Sequence, residues 1–310
     1  MNIAIIGATG FLGSHLTRHL LNTTSHTVLA ISRSGSLPAF VDPDPRLRTA
    51  AVSVLDDEQM TAALQDIDVV YYFVHLMGQS HTDFYSQEHL AAERTAAACR
   101  SAGVKRVIFM GGLGNDTDHL SQHLLSRHNT GTVLRDLLDD VIEFRASMII
   151  GKGSLAYDII CNLVAKLPVM FLPNWASSRT QPIALADALA YLTAAATVTI
   201  PHSIIVEIGG KDVVSYTDLY RRYAKWASKP RPVFRITLIP FWLGGKWLNL
   251  FTPSYHAHVG RIMAESMSNE MIVHHPETAA TYFSEIAPKG LEAAFDDTRT
   301  EVEDSTLLKK

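Results

Sequence analysis

Three side chains in this sequence have the type and placement to move a proton. His123 and Arg127 stand four residues apart in a segment of helical periodicity, Ser121 to Leu138, so an imidazole and a guanidinium share one helical face. A permanent cation beside an imidazole disfavours the imidazolium. It pushes the pKa below the ordinary value of about 6.5 and leaves a neutral ring that can accept or relay a proton. His75 sits in the turn Val74-His75-Leu76-Met77-Gly78, directly after an apolar run from Val69. Plainer readings stand beside these. His123 and Arg127 also fit a wet stripe with His119 and Thr130, with Leu120, Leu124, Gly131 and Leu138 packed inward, and His75 also fits a ring that shapes its turn. Arg145 and Arg179 could receive an anionic substrate or pair with an acid such as Asp187. His256-x-His258 has no third ligand at a set spacing, so no metal site is expected.

A second chemistry-bearing pattern opens the chain. Gly7, Gly10 and Gly13 follow the apolar run Ile3-Ala4-Ile5-Ile6 at G-x-x-G-x-x-G spacing and lead into a helix from about Phe11 to Leu21. The first glycine permits a tight turn, the second lets the backbone approach a pyrophosphate, and the third lets helix and strand pack closely. Backbone amides around Thr9, Phe11 and Leu12, with the positive end of the helix dipole, would face the phosphates. Such a triplet can also mark an ordinary strand-to-helix turn; its place at the first strand of a βαβ pattern favours a dinucleotide. The next strand ends Ser32-Arg33-Ser34, with no carboxylate to accept the adenosine ribose hydroxyls. A guanidinium there suits a 2′-phosphate, so NADP(H) is expected over NAD, unless Arg33 is only a solvated surface charge.

The elements that must position these groups read as α/β. Apolar runs near Val28 to Ser32, Thr49 to Val54, Val69 to Val74, Val107 to Met110, Val141 to Ile150 and Ile204 to Ile208 alternate with helical patterns near Asp57 to Leu64, Phe84 to Ala102 and Leu185 to Ala196. A Rossmann doubly wound parallel sheet of about seven strands is predicted, with a small C-terminal substrate lobe. The core covers 1–150 plus the strand at 204–208, the lobe mainly 151–203 and 209–295, and 296–310 is read as a flexible tail. The strand-helix rhythm is lost from about Gly210.

At 310 residues and a formal net charge of −4, with Lys and Arg dispersed, the chain has no basic stripe for nucleic acid. Cys99 and Cys161 form no C-x-x-C pair, and the first residues are already a core strand, so a cytoplasmic protein without a secretory leader is expected. The apolar stretch Ile236 to Phe251, interrupted by Pro240, Gly244, Gly245 and Lys246, is too short and broken to span a membrane. It is read as lobe packing or a homodimer contact rather than a membrane-surface segment anchored by Trp242 and Trp247.

The glycine opening, the Val74 to Gly78 turn and Lys105-Arg106-Val107-Ile108-Phe109-Met110-Gly111-Gly112-Leu113-Gly114 resemble the atypical short-chain dehydrogenases/reductases. Ser121-Gln122-His123-Leu124-Leu125-Ser126-Arg127 and Arg179-Thr180-Gln181-Pro182-Ile183 resemble an NmrA-like, NAD(P)-binding epimerase-like subgroup. The resemblance implies that Val74 and His75 pass beneath the nicotinamide ribose and that a small substrate or effector binds between core and lobe. It also shows a departure. Working members use a serine after the fifth strand and a Tyr-x-x-x-Lys pair; here Gly111-Gly112 and His123-x-x-x-Arg127 stand in those places. Two functions fit: an NADP(H)-preferring oxidoreductase acting on a small carbonyl, quinone or sugar-like ligand through His123 or His75, with Arg127 as electrostatic partner; or a non-catalytic redox sensor read by a protein partner.

Overall fold

The computed structural model describes residues 1–37, 41–76, 84–116, 118–236 and 265–307. Its first half runs β1 (Asn2–Ile6), α1 (Phe11–Thr23), β2 (Thr27–Ser32), β3 (Leu47–Ala51), α2 (Asp57–Ala63), β4 (Val69–Tyr72), α3 (Phe84–Ala102), β5 (Arg106–Gly112), α4 (Gln122–Leu137) and β6 (Val141–Ala146). Then follow β7 (Ile149–Ile150), α5 (Leu155–Lys166), β8 (Met170–Pro173), a 3-10 turn, β9 (Arg179–Thr180), β10 (Ile183–Ala184), α6 (Leu185–Ala195) and β11 (Ile204–Ile208). The last described elements are β12 (Val214–Ser215), α7 (Tyr216–Trp226), β13 (Val233–Ile236), α8 (Pro276–Tyr282) and α9 (Leu291–Leu307).

Seven strands form one sheet in the order β11-β6-β5-β4-β1-β2-β3, and every neighbouring pair is parallel. This is the expected doubly wound Rossmann sheet, with helices on both faces. The chain moves outward from β1 through β2 to β3, then crosses back to place β4 on the other side of β1. The order therefore reverses at β1, where such sheets leave a crevice at the carboxyl ends of their strands. Ile6 pairs with both Ile31 and Tyr72, so Gly7, Arg33 and the segment Phe73 to His75 leave the sheet at the same end.

The two sheet faces are read directly from alternation. Ile3, Ile5, Tyr71, Ile108, Ile142 and Phe144 pack on the side of α1 and α6. Ala4, Ile6, Val70, Tyr72, Val107, Phe109 and Val141 face α3 and α4. Alanines on α3 keep that helix close, with Ala91, Ala92 and Ala96 fully buried. A separate core under α5, α7 and α9 makes the lobe, built around Tyr157, Tyr220, Tyr223 and Phe295.

Four expectations change. The run Val141 to Ile150 is not one strand: the chain bends at Ser147, and β7 pairs with β10 instead of extending the sheet. Regular structure continues after Gly210, since α7 is strongly amphipathic and is started by Ser215, whose hydroxyl accepts from the Asp218 amide at 3.0 Å. The end read as a flexible tail from Asp296 is helical to Leu307. It is anchored because Phe295 is fully buried, Trp226 Nε1–H donates to Asp296 at 2.7 Å, and Thr298 meets the Tyr157 hydroxyl at 3.1 Å. Part of the stretch assigned to the lobe also returns to the core: Phe283, just after α8, lies 5.4 Å from Phe144 and 5.6 Å from Tyr191 between ring centroids. Met77, Gly78, His256, His258, Trp242, Trp247 and all of Ile236 to Phe251 except its first residue lie outside the described residues. Among the described residues no helix is long and apolar enough to cross a membrane, and no cluster of His, Cys, Asp or Glu is placed to hold a metal.

Candidate functional site

The glycine turn has the shape of a cradle. Gly7 takes φ +90°, and a Cβ there would stand 2.8 Å from the Phe73 carbonyl oxygen. A Cβ on Gly13 would lie 2.4 Å from the Gly7 oxygen, so the start of α1 can sit this close only without a side chain. Gly10 caps α1 with no side-chain hydrogen bond, which leaves the first amides of the helix to an anion. Thr9 and Gly10 are exposed and Phe11 and Leu12 half-buried along the same rim. A pyrophosphate fits this turn. Arg33 follows β2, exposed, and among the described residues no hydrogen bond or ion pair engages it. Beside it the Ser34 and Ser36 hydroxyls lie 2.6 Å apart.

Further along the same end of the sheet, the two histidines that the sequence offers as alternatives are one unit. His75 Nε2 and His123 Nε2 lie 3.1 Å apart. On its other side His75 Nδ1 meets Glu88 Oε1 at 2.5 Å, and on its other side His123 Nδ1 meets Ser266 Oγ at 2.9 Å. Glu88 on α3 is buried and also accepts from the Leu76 amide at 2.9 Å and from the Ser126 hydroxyl. Burial alone would raise the Glu88 pKa, but its hydrogen bond to His75 and the charges of His75 and Arg127 hold the carboxyl well below the usual range. Burial, more than any charge, pushes His75 down, and takes His123 down to about 3 with added help from His75 and Arg127. Glu88 is therefore ionised and both imidazoles neutral at neutral pH.

Arg127 is buried, not part of a wet stripe, and so is Thr130. Its guanidinium donates to the Val74 carbonyl at 3.0 Å and to the Met110 carbonyl, and its Cζ lies 4.6 Å from the Phe109 ring centroid. It thus ties the ends of β4 and β5 together and acts on His123 through its charge, without touching it. Val74 enters the site by its carbonyl. Arg145 is no anion receptor: it pairs with Glu143 at 2.7 Å and Asp116 at 3.1 Å. Arg179 is held by both oxygens of Glu270, at 2.6 and 2.9 Å, and the Asp187 carboxylate instead accepts from the Lys289 amide.

Beside the pair lies a cavity of about 190 Å³ at the carboxyl ends of β5 and β6. Its walls include His75, His123, Arg127, Ser147, Tyr216 and Ser266, with Gly111 and Gly112 at the strand end. The sequence reading assigns no site role to Glu88, Ser126 or Ser266. Glu88 had a signal: it precedes Ala91, Ala92 and Thr95 by three, four and seven residues, placing a carboxylate on the inward stripe of α3. Ser266 had none, since it is more than 140 residues from His123 in sequence.

A family model described as NAD(P)H-binding matches residues 7–161, half of the chain. The chain belongs to the NAD(P)H-binding family. A curated relative, the mitochondrial protein fmp52 of Aspergillus niger, is 30% identical over 127 residues, which cover 37% of this chain and 52% of that protein. The chain thus spans about half the length of that relative. The fold of this NAD(P)H-binding protein is shared with solved 4-epimerases. UDP-glucose 4-epimerase of Thermotoga maritima superposes with a TM-score of 0.72 at 12% identity, over 99% of this chain and 100% of the epimerase. UDP-glucuronic acid 4-epimerase of Bacillus cereus, solved with UDP-glucuronic acid and NAD, gives 0.72 at 16% identity, over 98% and 99%.

Proposed function

We propose that this NAD(P)H-binding protein is an NADP(H)-preferring oxidoreductase in which the His75–His123 pair does the work of the tyrosine–lysine pair of its relatives. The observation that carries this reading is an imidazole pair, hydrogen-bonded to a buried carboxylate, opening on a cavity at the sheet end that also bears the glycine cradle. When bound, the dinucleotide supplies or takes a hydride. The protein's part is to hold the dinucleotide phosphates at Gly7 to Gly13, keep the reacting end of the ligand in a small pocket, and store or return one proton at His123. A proton that reaches His123 can be shared with His75, whose imidazolium would rest against the Glu88 carboxylate. The cavity suits one ring of a ligand, so a small carbonyl, a quinone or the reacting sugar of a larger molecule is the expected class.

The NADP(H) preference is supported by Arg33 standing unengaged among the described residues, with Ser34 beside it, where a 2′-phosphate would accept charge-assisted hydrogen bonds. A cytoplasmic setting belongs to the same reading and is supported by Cys99 and Cys161 being free thiols. Parallel titrations with NADPH and NADH test the preference. Arg33→Ala should weaken NADPH about 10-fold or more while leaving NADH nearly unchanged, the cost of a lost charged hydrogen bond; equal losses would remove the assignment. Repeating the titrations with oxidised cofactors separates an enzyme from a sensor. An enzyme must hold both states comparably, whereas strong discrimination between them would favour a sensor read by a partner protein.

A further inference from the structure

All four ring nitrogens of the histidine pair are already in hydrogen bonds, to Glu88, to each other and to Ser266. No imidazole nitrogen is therefore left to meet a ligand in the cavity directly. The order of donors along this chain follows from its most acidic member. An ionised carboxylate only accepts, so His75 must present Nδ1–H to Glu88. A neutral His75 then has a lone pair on Nε2, and His123 must donate to it from its own Nε2–H. That leaves the lone pair of His123 on Nδ1, which accepts from the Ser266 hydroxyl, while Ser266 Oγ in turn accepts from Ser121 at 2.8 Å.

We propose that Glu88 locks the pair in one tautomeric order and that Ser266 closes the line at the cavity, so that a proton passes between the cavity and His123 only by way of the Ser266 hydroxyl. This rests on the oxidoreductase reading for its use, though not for its existence. In the oxidising direction a ligand hydroxyl gives its proton to Ser266 Oγ as Ser266 gives its own to His123 Nδ1. His123 then passes its Nε2 proton to His75 Nε2, and the positive charge ends on His75 beside Glu88. When bound, the oxidised dinucleotide of the proposed function would take the hydride with the electron pair of the broken C–H bond, which would leave the ligand a carbonyl. One proton and one hydride leave, and the reduction is the reverse.

The location of Ser266 gives this hydroxyl a second meaning. The strand end where relatives carry a serine carries glycines here: a Cβ on Gly112 would press on the movable end of Leu124 at 2.8 Å, and one on Gly111 would meet nothing closer than 3.4 Å. The hydroxyl comes instead from a segment more than 140 residues further on, which is clamped at several points. The Ser121 amide donates to Asn269 Oδ1 at 3.1 Å, Asn269 Nδ2–H donates to the His119 carbonyl at 3.0 Å, and Met271 exchanges backbone hydrogen bonds with Arg179 and Gln181 at 2.9 Å. Ser266 is itself buried and lines the cavity. The relay is thus complete only when this late segment lies on the start of α4.

Nitrogen-15 NMR of the two imidazoles, on the full chain without cofactor at neutral pH, decides the matter. The expected spectrum has His75 as the Nδ1–H tautomer and His123 as the Nε2–H tautomer. Ser266→Ala should keep both tautomers but move the His123 Nδ1 signal to that of an unbonded lone pair, Ser266→Thr should restore the bonded signal, and Glu88→Gln should remove the tautomer preference at His75. A His123 that carries its proton on Nδ1, or a Ser266→Ala protein with an unchanged His123 Nδ1 signal, overturns the proposal. If the tautomers are as stated but NADPH does not bind, the oxidoreductase reading fails and the order of the hydrogen bonds stands.

Discussion

Helix α4 sends side chains into two buried polar clusters, and they are built on opposite principles. Its first turns meet the histidine pair, where Ser126 serves Glu88 and the titratable rings open on a cavity. Its middle and last turns cover Glu143 and Arg145, which point from β6 toward α4 because residues 141, 143 and 145 share one face of that strand. Glu143 is fully buried between Arg145 and Arg135, and Asp116 bridges Arg145 and His128. A Cβ on Gly131 would lie 2.1 Å from Glu143 Oε2, so the helix leaves room for the carboxylate by having no side chain there. In the second cluster permanent charges neutralise one another. In the first, a single buried carboxylate faces two neutral rings that can gain or lose a proton. The comparison teaches that burial of charge alone does not mark a reactive site. What would mark one is a titratable group that opens on a cavity and has somewhere to send the proton.

The largest effect should come from opening the closed cluster. Glu143→Gln leaves two largely buried guanidinium groups short of a counter-charge and should cost about 3–5 kcal/mol of stability in chemical denaturation, with NADPH affinity of the folded fraction unchanged. A small stability loss would mean that Asp116 and solvent suffice for both arginines. His123→Gln should do the opposite. Its unfolding free energy should stay within about 1 kcal/mol of the parent while turnover falls about 100-fold, the usual weight of a general acid–base group. Equal turnover would return His123 to a packing role.

The smallest effect is a slope. A group whose pKa is depressed by folding binds fewer protons in the native state than in the unfolded chain, so the native state loses ground as pH falls between the two values. His123, at about 3 when folded, should add such a loss from about pH 6.5 downward, at most ~1.4 kcal/mol per pH unit. His75 and Glu88 add losses of the same sign, Glu88 at lower pH, and Arg127 keeps its charge throughout. Stability measured from pH 7 to 4 should fall more gently in His123→Gln than in the parent; parallel curves would show that His123 is not held neutral.

Much of the fold is legible in the sequence because its signals are local. The unbroken apolar run Ile3 to Ile6, the glycine spacing after it and the alanine stripe of α3 each need only neighbouring residues to act. The lobe is less legible. Its strands β8 and β13 are four residues each and gain meaning only by pairing with each other across more than 60 residues. The same holds for the end of the chain, where a polar composition suggests fraying but one buried aromatic, Phe295, docks the helix.

The glycine spacing, the absence of a carboxylate after β2, and the placement of His123 and Arg127 four residues apart on one helix are all set by sequence, since side-chain type and spacing along one helix or turn suffice. Arg127 shows where that stops. Helical spacing puts it on the face of His123, yet the carbonyls of Val74 and Met110 capture its guanidinium. Only the tertiary structure joined His75 to His123, placed Glu88 behind them and brought Ser266 to the end of the line. These contacts join residues from separate elements, and a hydrogen bond over 3 Å is decided by where the sheet and its helices carry the backbone, which no local pattern encodes.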